Sequence, residues 1–209
     1  MTELGLFPLP LVLVPTERIP LHIFEPRYRE LIDECIETGG EFGLVLSTGD
    51  GAVHEIGTRA AIIRVIERLP DGRMNIAVEG RERFRLLELT SGRVFTTCSV
   101  EPVLDEDEEP DEDDLARALQ VFNQLAEEAE SEVEIPEPDS EQLDWELAAR
   151  VDFGVDAKQE ILASTSPRRR MSRLVELLEA SLEAVRLEKV LRERAGKNGK
   201  VGPLNGDGR

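Results

Sequence analysis

The sequence predicts an α+β protein in which a curled antiparallel sheet with one crossing helix precedes a bundle of helices. Apolar residues alternate with a period of two over much of residues 1–100, as is typical of half-buried strands. Beyond an acidic stretch, the apolar spacing changes to three or four residues, which indicates helices. The 209 residues, 40% of them hydrophobic, are enough to bury a core.

Strand signals follow one another through this first part. Residues 7–13 and 74–78 alternate clearly, whereas residues 60–69 are apolar on both faces, which predicts a buried central strand. Pro70-Asp71-Gly72 predicts a hairpin turn, because proline presets one dihedral angle and glycine tolerates positive φ. The apolar phase slips by one residue within residues 84–89, which predicts a bulge that helps the sheet to curl.

The crossing helix is predicted to begin at Pro26 and to end at Gly39-Gly40. Proline suits the first helical position, since its missing N–H would be unpaired there, and glycine suits the C-terminal cap. We expect this helix to lie across the open end or one face of the sheet. Its apolar stripe consists of Tyr28, Leu31, Ile32, Cys35 and Ile36.

The net charge of −19 is concentrated in the middle of the chain. Residues 101–160 hold 23 acidic and 3 basic side chains, whereas residues 161–209 hold 6 acidic and 11 basic ones. An acidic field of this kind repels phosphate backbones, so we expect no nucleic-acid partner. Ten of residues 101–114 are acidic, which predicts a solvated linker.

The predicted organisation has four parts. They are a β-rich subdomain (1–104), an acidic linker (105–113), a helical subdomain (114–195) and a disordered tail (196–209). Within the helical part, we predict a cap at Asp114 and capping boxes at Asp139/Gln142 and Asp156/Gln159. Ser166-Pro167 is predicted to start the longest helix.

The sequence shows no pattern that indicates catalysis or a metal. His22 and His54 have no cysteine or carboxylate at zinc spacing, and Cys35 is predicted to be a buried small hydrophobe. There is no nucleophile elbow and no phosphate loop. We therefore predict no catalytic residue, no cofactor and no metal site. With two cysteines and no membrane-length apolar run, the predicted location is cytoplasmic, without a membrane partner.

The basic cluster Arg168-Arg169-Arg170, followed by Arg173, is unusual because cations in the first turn of a helix oppose its dipole. Two hypotheses explain it. The favoured one is pairing with the acidic surplus elsewhere in the chain. The other is a docking patch for an acidic partner.

Several segments form an ordered series of motifs. They are residues 6–9 and 12–15, Pro20-Leu21-His22-Ile23-Phe24-Glu25-Pro26-Arg27-Tyr28-Arg29, Ile56-Gly57-Thr58-Arg59-Ala60, Leu69-Pro70-Asp71-Gly72, Val78-Glu79-Gly80 and residues 81–85. This series resembles the N-terminal domain of the Lon protease family (peptidase S16). The resemblance is specific over residues 4–100 and weaker over 114–195, where the family has a helical bundle.

The resemblance implies a six- or seven-stranded β pseudobarrel followed by helices, in a domain that recognises unfolded or tagged protein substrates and helps to assemble the hexamer. An extended peptide added to an exposed strand edge would fit such a sheet. His22 and Glu25 are expected to cap backbone groups, and Arg27 and Arg29 to be solvated. No individual substrate-binding residue is assigned.

The family's ATPase requires a phosphate loop and its peptidase a serine–lysine dyad in a proline- and glycine-rich segment, and the sequence has neither. The leading hypothesis is therefore a non-catalytic protein- or peptide-binding module, an adaptor or regulator of proteolysis whose partners are unfolded or tagged clients and a protease or chaperone. One alternative is a scaffold that assembles through the last helix, which sedimentation at several concentrations would test. Another is a small-molecule enzyme with a site near His22 or Glu25, which a broad hydrolase screen would test.

Overall fold

A computed structural model describes residues 2–49, 51–90 and 92–198. The strands are β1 (Thr2–Leu9), β2 (Arg18–Ile23), β3 (Glu41–Leu46), β4 (Ile56–Arg68), β5 (Met74–Thr90) and β6 (Thr97–Pro102). The helices are α1 (Pro26–Thr38), α2 (Glu112–Glu128), α3 (Leu143–Arg150), α4 (Val155–Ala163) and α5 (Pro167–Asn198). The predicted α+β class, with one helix among the strands and a helical part after them, is confirmed.

The six strands form a curled sheet in the order β2-β5-β4-β3-β1-β6, and an additional β5–β6 pairing closes a ring of hydrogen bonds. The ring is not a regular barrel, because β5 pairs with β2 along its first half and with β6 along its second. Four of the neighbouring pairs in the order are antiparallel, as predicted, whereas β1 and β3 are parallel. Parallel neighbours need a crossover, which the chain between them supplies through β2 and α1.

The sequence signals for the β4–β5 turn and for the bulge in β5 agree with the structure. Gly72 in the turn has φ of +85°, and Leu69 donates its N–H to the carbonyl of Arg73 at 2.8 Å. The β5–β6 register shifts between Leu86 and Glu88, where the apolar phase slips. The predicted bulge is therefore confirmed.

Helix α1 covers the core of the ring. Tyr28, Leu31, Ile32 and Cys35 are buried, and the Tyr28 ring centroid lies 4.1 Å from that of Phe7. The helix begins at Pro26 and ends at Gly39, which has a left-handed φ of 67°. Both ends are as predicted, because each depends on the conformation of a single residue.

Three of the predicted helix caps are wrong. Helix α2 begins before Asp114, at Glu112, because acidic side chains are favourable throughout the first turn of a helix. Asp139 and Gln142 form no capping box, since Gln142 is itself the N-cap of α3 and has no capping bond from its side chain. Helix α4 follows Gly154, and Gln159 instead donates to the Ile56 carbonyl at 3.2 Å.

Helix α5 begins at Pro167, as predicted, and Ser166 caps it, because the Ser166 Oγ accepts the N–H of Arg169 at 3.1 Å. This helix of 32 residues extends to Asn198, three residues into the predicted tail, and residues 199–209 lie outside those described. Leu187, Val190 and Leu191 are exposed near its end. No helix among the described residues is long and apolar enough to cross a membrane.

A shared apolar core joins the sheet to the helices. The sheet side contributes Val12, Val14, Leu46 and Ile56, and the helical side contributes Trp145, Ala148, Ile161, Leu162 and Leu174. A polar tie lies beside it, where Lys158 Nζ of α4 contacts Glu17 Oε1 at 2.5 Å. The helical part therefore packs directly on the sheet, while the predicted boundaries of the two subdomains stay a prediction.

Candidate functional site

The second half of β4 exposes aliphatic side chains to solvent. The prediction of a central strand buried on both faces is wrong there, since Ile63 is 44%, Val65 37% and Ile66 48% exposed. Ile36 of α1 lines one groove with Ile63 and Val65 and is 37% exposed, although its helix stripe is otherwise buried. These four residues are called the β4 surface below. Clustered exposed apolar side chains are typical of interaction sites.

The pairing of β4 explains why this surface is open. β3 pairs with β4 only from Thr58 to Ala61, so among the described residues β4 has no strand neighbour on that side beyond Ala61. On the other side, the β4–β5 register shifts between Ile62 and Arg64 and again between Val65 and Glu67. Each shift leaves an extra residue, Ile63 or Ile66, without a partner on β5. Bulges re-aim side chains in this way.

A groove of about 540 Å³ lies between β4 and the C-terminal end of α1. It is lined by Cys35, Ile36, Gly39, Gly40, Glu41, residues 61–65, Arg81 and Glu82. Gly39 leaves open space, because a Cβ there would meet no atom within 4 Å. The groove therefore combines the apolar side chains of Ile36, Ile63 and Val65 with charged groups and the backbone edge of β4.

The motif at residues 20–29 is mostly structural. His22 Nδ1 lies 2.6 Å from Asn75 Oδ1, and Glu25 pairs with Arg27 at 2.9 Å. The prediction that His22 and Glu25 cap backbone groups is therefore wrong for their side chains. Arg29 is not merely solvated, since its Nη1 donates to the Asp71 carbonyl at 2.6 Å and ties α1 to the β4–β5 turn.

Phe24 is the one large apolar residue of the motif that faces solvent. It is 57% exposed, and its ring centroid lies 5.9 Å from that of His22 in a stacked arrangement. The sequence pattern offers a signal for this exposure. Leu21 and Ile23 point inward along β2, so the next residue, Phe24, points outward if the alternation is extended by one residue past the strand.

The cysteines are buried and weakly acidic. Burial raises the pKa of the Cys35 and Cys98 thiols to about 11, so both remain protonated near neutral pH. A thiol of that kind is a poor nucleophile, which agrees with the prediction of a small hydrophobe at Cys35. Within residues 2–49, 51–90 and 92–198, no group of three His, Cys, Asp or Glu side chains is arranged to hold a metal ion.

Two buried arginines lie where the sheet meets the helices. Arg170 contacts Asp144 Oδ2 through Nε at 2.5 Å and Asp105 Oδ2 through Nη2 at 2.7 Å. Arg83 of β5 also pairs with Asp105. Both guanidinium groups lie over the ring of Trp145, at 4.0 Å from Arg170 and 5.0 Å from Arg83. These five residues are called the seam network.

Burial and the neighbouring carboxylates act in opposite directions on the two arginines of this network. Burial lowers the pKa of Arg170, but hydrogen bonds and charges from Asp105 and Asp144 outweigh burial and raise it. Burial lowers the pKa of Arg83, and Asp105 only partly compensates. Arginine is protonated throughout the range in which proteins fold. The two arginines and two aspartates therefore form a paired group that joins β5, α3 and α5.

The acidic linker is not simply solvated, contrary to the prediction, because several of its carboxylates contact the start of α5. Besides Asp105, the Glu106 carboxylate accepts from the Thr165 hydroxyl at 2.8 Å, and Glu108 contacts the Ser166 hydroxyl. Asp111 lies 3.4 Å from Arg168. Pairing of the basic cluster with the acidic surplus is thus confirmed for Arg168 and Arg170. The first turn of α5 contains no acidic residue. The carboxylates of the linker therefore supply the negative charge that is favourable at the N-terminus of a helix.

A larger cleft of about 830 Å³ lies between β5 and α3. Its charged lining is largely paired within the protein, since Glu79 contacts both Arg18 and Arg81 and Arg150 contacts Glu146. Paired groups of this kind leave little charge for a ligand. The β4 surface and its groove are therefore the better candidate for a binding site.

The family model that matches the chain is that of the ATP-dependent protease La (LON) substrate-binding domain, over residues 3–180. Lon protease of Rhizobium meliloti is 27% identical over 92% of this chain and 26% of its own length. Lon protease 1 of Hydrogenovibrio crunogenus is 23% identical over 89% of the chain and 24% of its own length. The chain thus spans about a quarter of the length of these curated relatives.

Two solved structures share the fold. A Lon N-terminal domain protein from Xanthomonas campestris has a TM-score of 0.68 and 27% identity, covering 84% of this chain and 98% of that one. The N-terminal domain of a Mycobacterium avium complex Lon protease has a TM-score of 0.66 over 85% of this chain and 98% of its own, at 16% identity. Because the family model covers most of the described ring and helices, this chain belongs to the family of the LON substrate-binding domain.

Proposed function

We propose that this protein is a non-catalytic module that binds apolar segments of unfolded or tagged protein clients. The observation that carries the proposal is the β4 surface, in a chain of the substrate-binding family. Covering exposed aliphatic side chains stabilises a complex by about 25 cal/mol for each Å² of apolar area removed from water. An apolar surface selects clients loosely, because few buried polar groups reject a wrong sequence.

The finer part of the proposal is a role as an adaptor or regulator of proteolysis. Support comes from the resemblance to the recognition end of Lon-type proteases, without the phosphate loop or peptidase dyad in this sequence. In this role the module holds a client and presents it to a separate protease or chaperone in the cytoplasm. The protein itself makes and breaks no covalent bond.

Replacing Ile63 and Ile66 together with serine is expected to weaken binding of a permanently unfolded, reduced and alkylated client about tenfold or more. About half of each isoleucine is exposed to solvent. Covering that exposed part with a client contributes about 1 kcal/mol of binding free energy for each side chain. Fluorescence anisotropy of a labelled client measures the change. Val94→Ser is the matched control, since Val94 is 63% exposed but lies outside the β4 surface. Equal binding by the double variant and the control would contradict the proposed site.

In a degradation assay with a Lon-type protease, adding this protein is expected to change the rate at which the same client is degraded. The Ile63→Ser/Ile66→Ser variant should lose the effect, because it no longer holds the client. Gel densitometry over time measures the rate. A rate that stays the same at saturating concentrations of the native protein would count against the adaptor or regulator role while leaving client binding intact.

A further inference from the structure

The outer edge of β4 beyond Ala61 is an unpaired strand edge. β3 begins at Glu41 opposite Ala61, whereas β4 continues to Arg68. For the part of the chain that the structure describes, backbone pairing of residues 62–68 is with β5 alone. Residues 63–68 are all exposed. Such an edge offers N–H and C=O groups with which a further strand can pair.

We propose that this edge binds a short, extended, apolar segment of the client as an added strand, seated in the groove between β4 and the end of α1. The proposal rests on the proposed function and adds the mode of recognition. The bound segment continues the line of β3, so the ladder that already joins β3 to β4 sets its position. Backbone hydrogen bonds of this kind are independent of client sequence.

The surroundings of the edge fit an extended chain with apolar side chains. Successive side chains of a strand point to opposite faces, so alternate residues of the client meet the apolar side chains that line the groove. Ile36 and Val65 line the groove, and Gly39 leaves room where α1 turns into β3. An extended peptide therefore gains both backbone bonds and apolar contact.

The two bulges limit the length of the added strand. They bend β4 at Ile63 and Ile66, so aligned pairing is confined to the short run around Arg64 and Val65, about two or three residues. Ile63 lines the groove and supplies apolar contact there, and Ile66 extends the exposed apolar area of β4 just beyond it. A few backbone hydrogen bonds combined with apolar contacts give weak binding with little sequence specificity. A module that accepts many clients requires binding of this kind.

The edge of β2 is a poorer site. β2 pairs with β5 alone, so its other edge is also without a strand partner among the described residues. Pro20 lies in the middle of this strand and has no N–H to donate. Leu21 and Ile23 are buried in the core, so this edge has fewer donors and less exposed apolar area than the β4 edge.

The test compares two fluorescein-labelled peptides in which leucine and serine alternate between terminal lysines. The second peptide is N-methylated at every leucine and serine, which removes the backbone donors but keeps the side chains. We expect the N-methylated peptide to bind at least tenfold more weakly, since it loses the ladder. Hydrogen exchange is expected to slow at residues 62–66 when the unmodified peptide binds.

The outcomes separate the inference from the proposed function. If both peptides bind equally and Ile63→Ser/Ile66→Ser weakens both, recognition uses side chains alone, so strand addition is wrong and the proposed function stands. If neither peptide depends on Ile63 and Ile66, the proposed site itself is wrong. If the unmodified peptide slows exchange along β2 instead of β4, the location of the added strand is wrong.

Discussion

Replacing Arg170 with methionine is expected to lower the free energy of unfolding by about 3–5 kcal/mol, the range seen when one partner of a buried ion pair is removed. The Arg170 side chain is only 1% exposed and contacts Asp105 and Asp144. Methionine keeps an unbranched apolar stem, so the change removes charge more than volume. Asp144, whose side chain is 8% exposed, then loses its cationic partner.

Urea unfolding followed by far-UV circular dichroism measures this loss. Arg168→Met is the matched control, because Arg168 lies on the same helix turn but its side chain is 55% exposed, and its pair with Asp111 is 3.4 Å long. Exposed pairs contribute about 0–1 kcal/mol. Equal stability of the two variants would show that the seam network does not stabilise the fold.

A double variant separates buried charge from lost packing. Arg170→Met/Asp144→Leu removes both members of the pair, and it is expected to recover a large part of the loss, because apolar replacements of buried ion pairs are often tolerated. Asp105 still pairs with Arg83 in this variant. If the double variant is as unstable as Arg170→Met, the loss arises from packing against Trp145 instead of from unpaired charge.

Replacing Gly80 with alanine is expected to destabilise the fold by about 1–3 kcal/mol or more, as overpacked sites do. A Cβ at Gly80 would lie 2.1 Å from the carbonyl oxygen of Val14 and 2.9 Å from its carbon. These are backbone atoms, so no side-chain rotation relieves the clash. Backbone hydrogen bonds also join the two segments. The Gly80 N–H donates to the Glu17 carbonyl, and the Gly80 carbonyl accepts from the Thr16 N–H, each at 2.9 Å.

Thermal and urea unfolding of the Gly80→Ala variant test this expectation. Gly49→Ala is the control, because a Cβ at Gly49 would have no atom within 4 Å and φ there is not in the left-handed region. Its effect is expected to stay within about 0.5 kcal/mol, as for other surface changes. Equal effects at the two glycines would show that the 14–17 segment moves away from β5 without cost.

The Gly80 contact gives a physical reason for one motif of the resemblance. Val78-Glu79-Gly80 places a residue without a side chain where β5 passes the segment before β2. Gly57, in another motif, is similarly enclosed, since a Cβ there would lie 2.5 Å from the Leu44 carbonyl oxygen. Both glycines allow close approach of neighbouring backbones, which the sequence alone shows only as a pattern.

Local sequence signals determined the elements whose ends depend on one or two residues. Pro26 and Gly39 set the ends of α1, Asp71-Gly72 sets the β4–β5 turn, and Ser166 starts α5. The caps predicted at Asp114 and Asp156 were wrong, because several acidic residues fit a first helical turn equally well. The candidate site was not predictable. Apolar residues on both faces of β4 indicate a buried strand, but burial requires a neighbouring strand, and the sequence does not show where that neighbour ends.

The sequence by itself therefore determined the α+β class, the bulge in β5 and the resemblance to the N-terminal domain of the Lon family. Only the tertiary structure decided that β3 stops pairing at Ala61, which leaves Ile63, Val65 and Ile66 exposed. It also decided that Asp105 joins Arg83 to Arg170, 65 residues further along the chain from Asp105. The physical reason is that burial and ion pairing depend on which distant segments meet, whereas turns and caps depend on the conformation of adjacent residues.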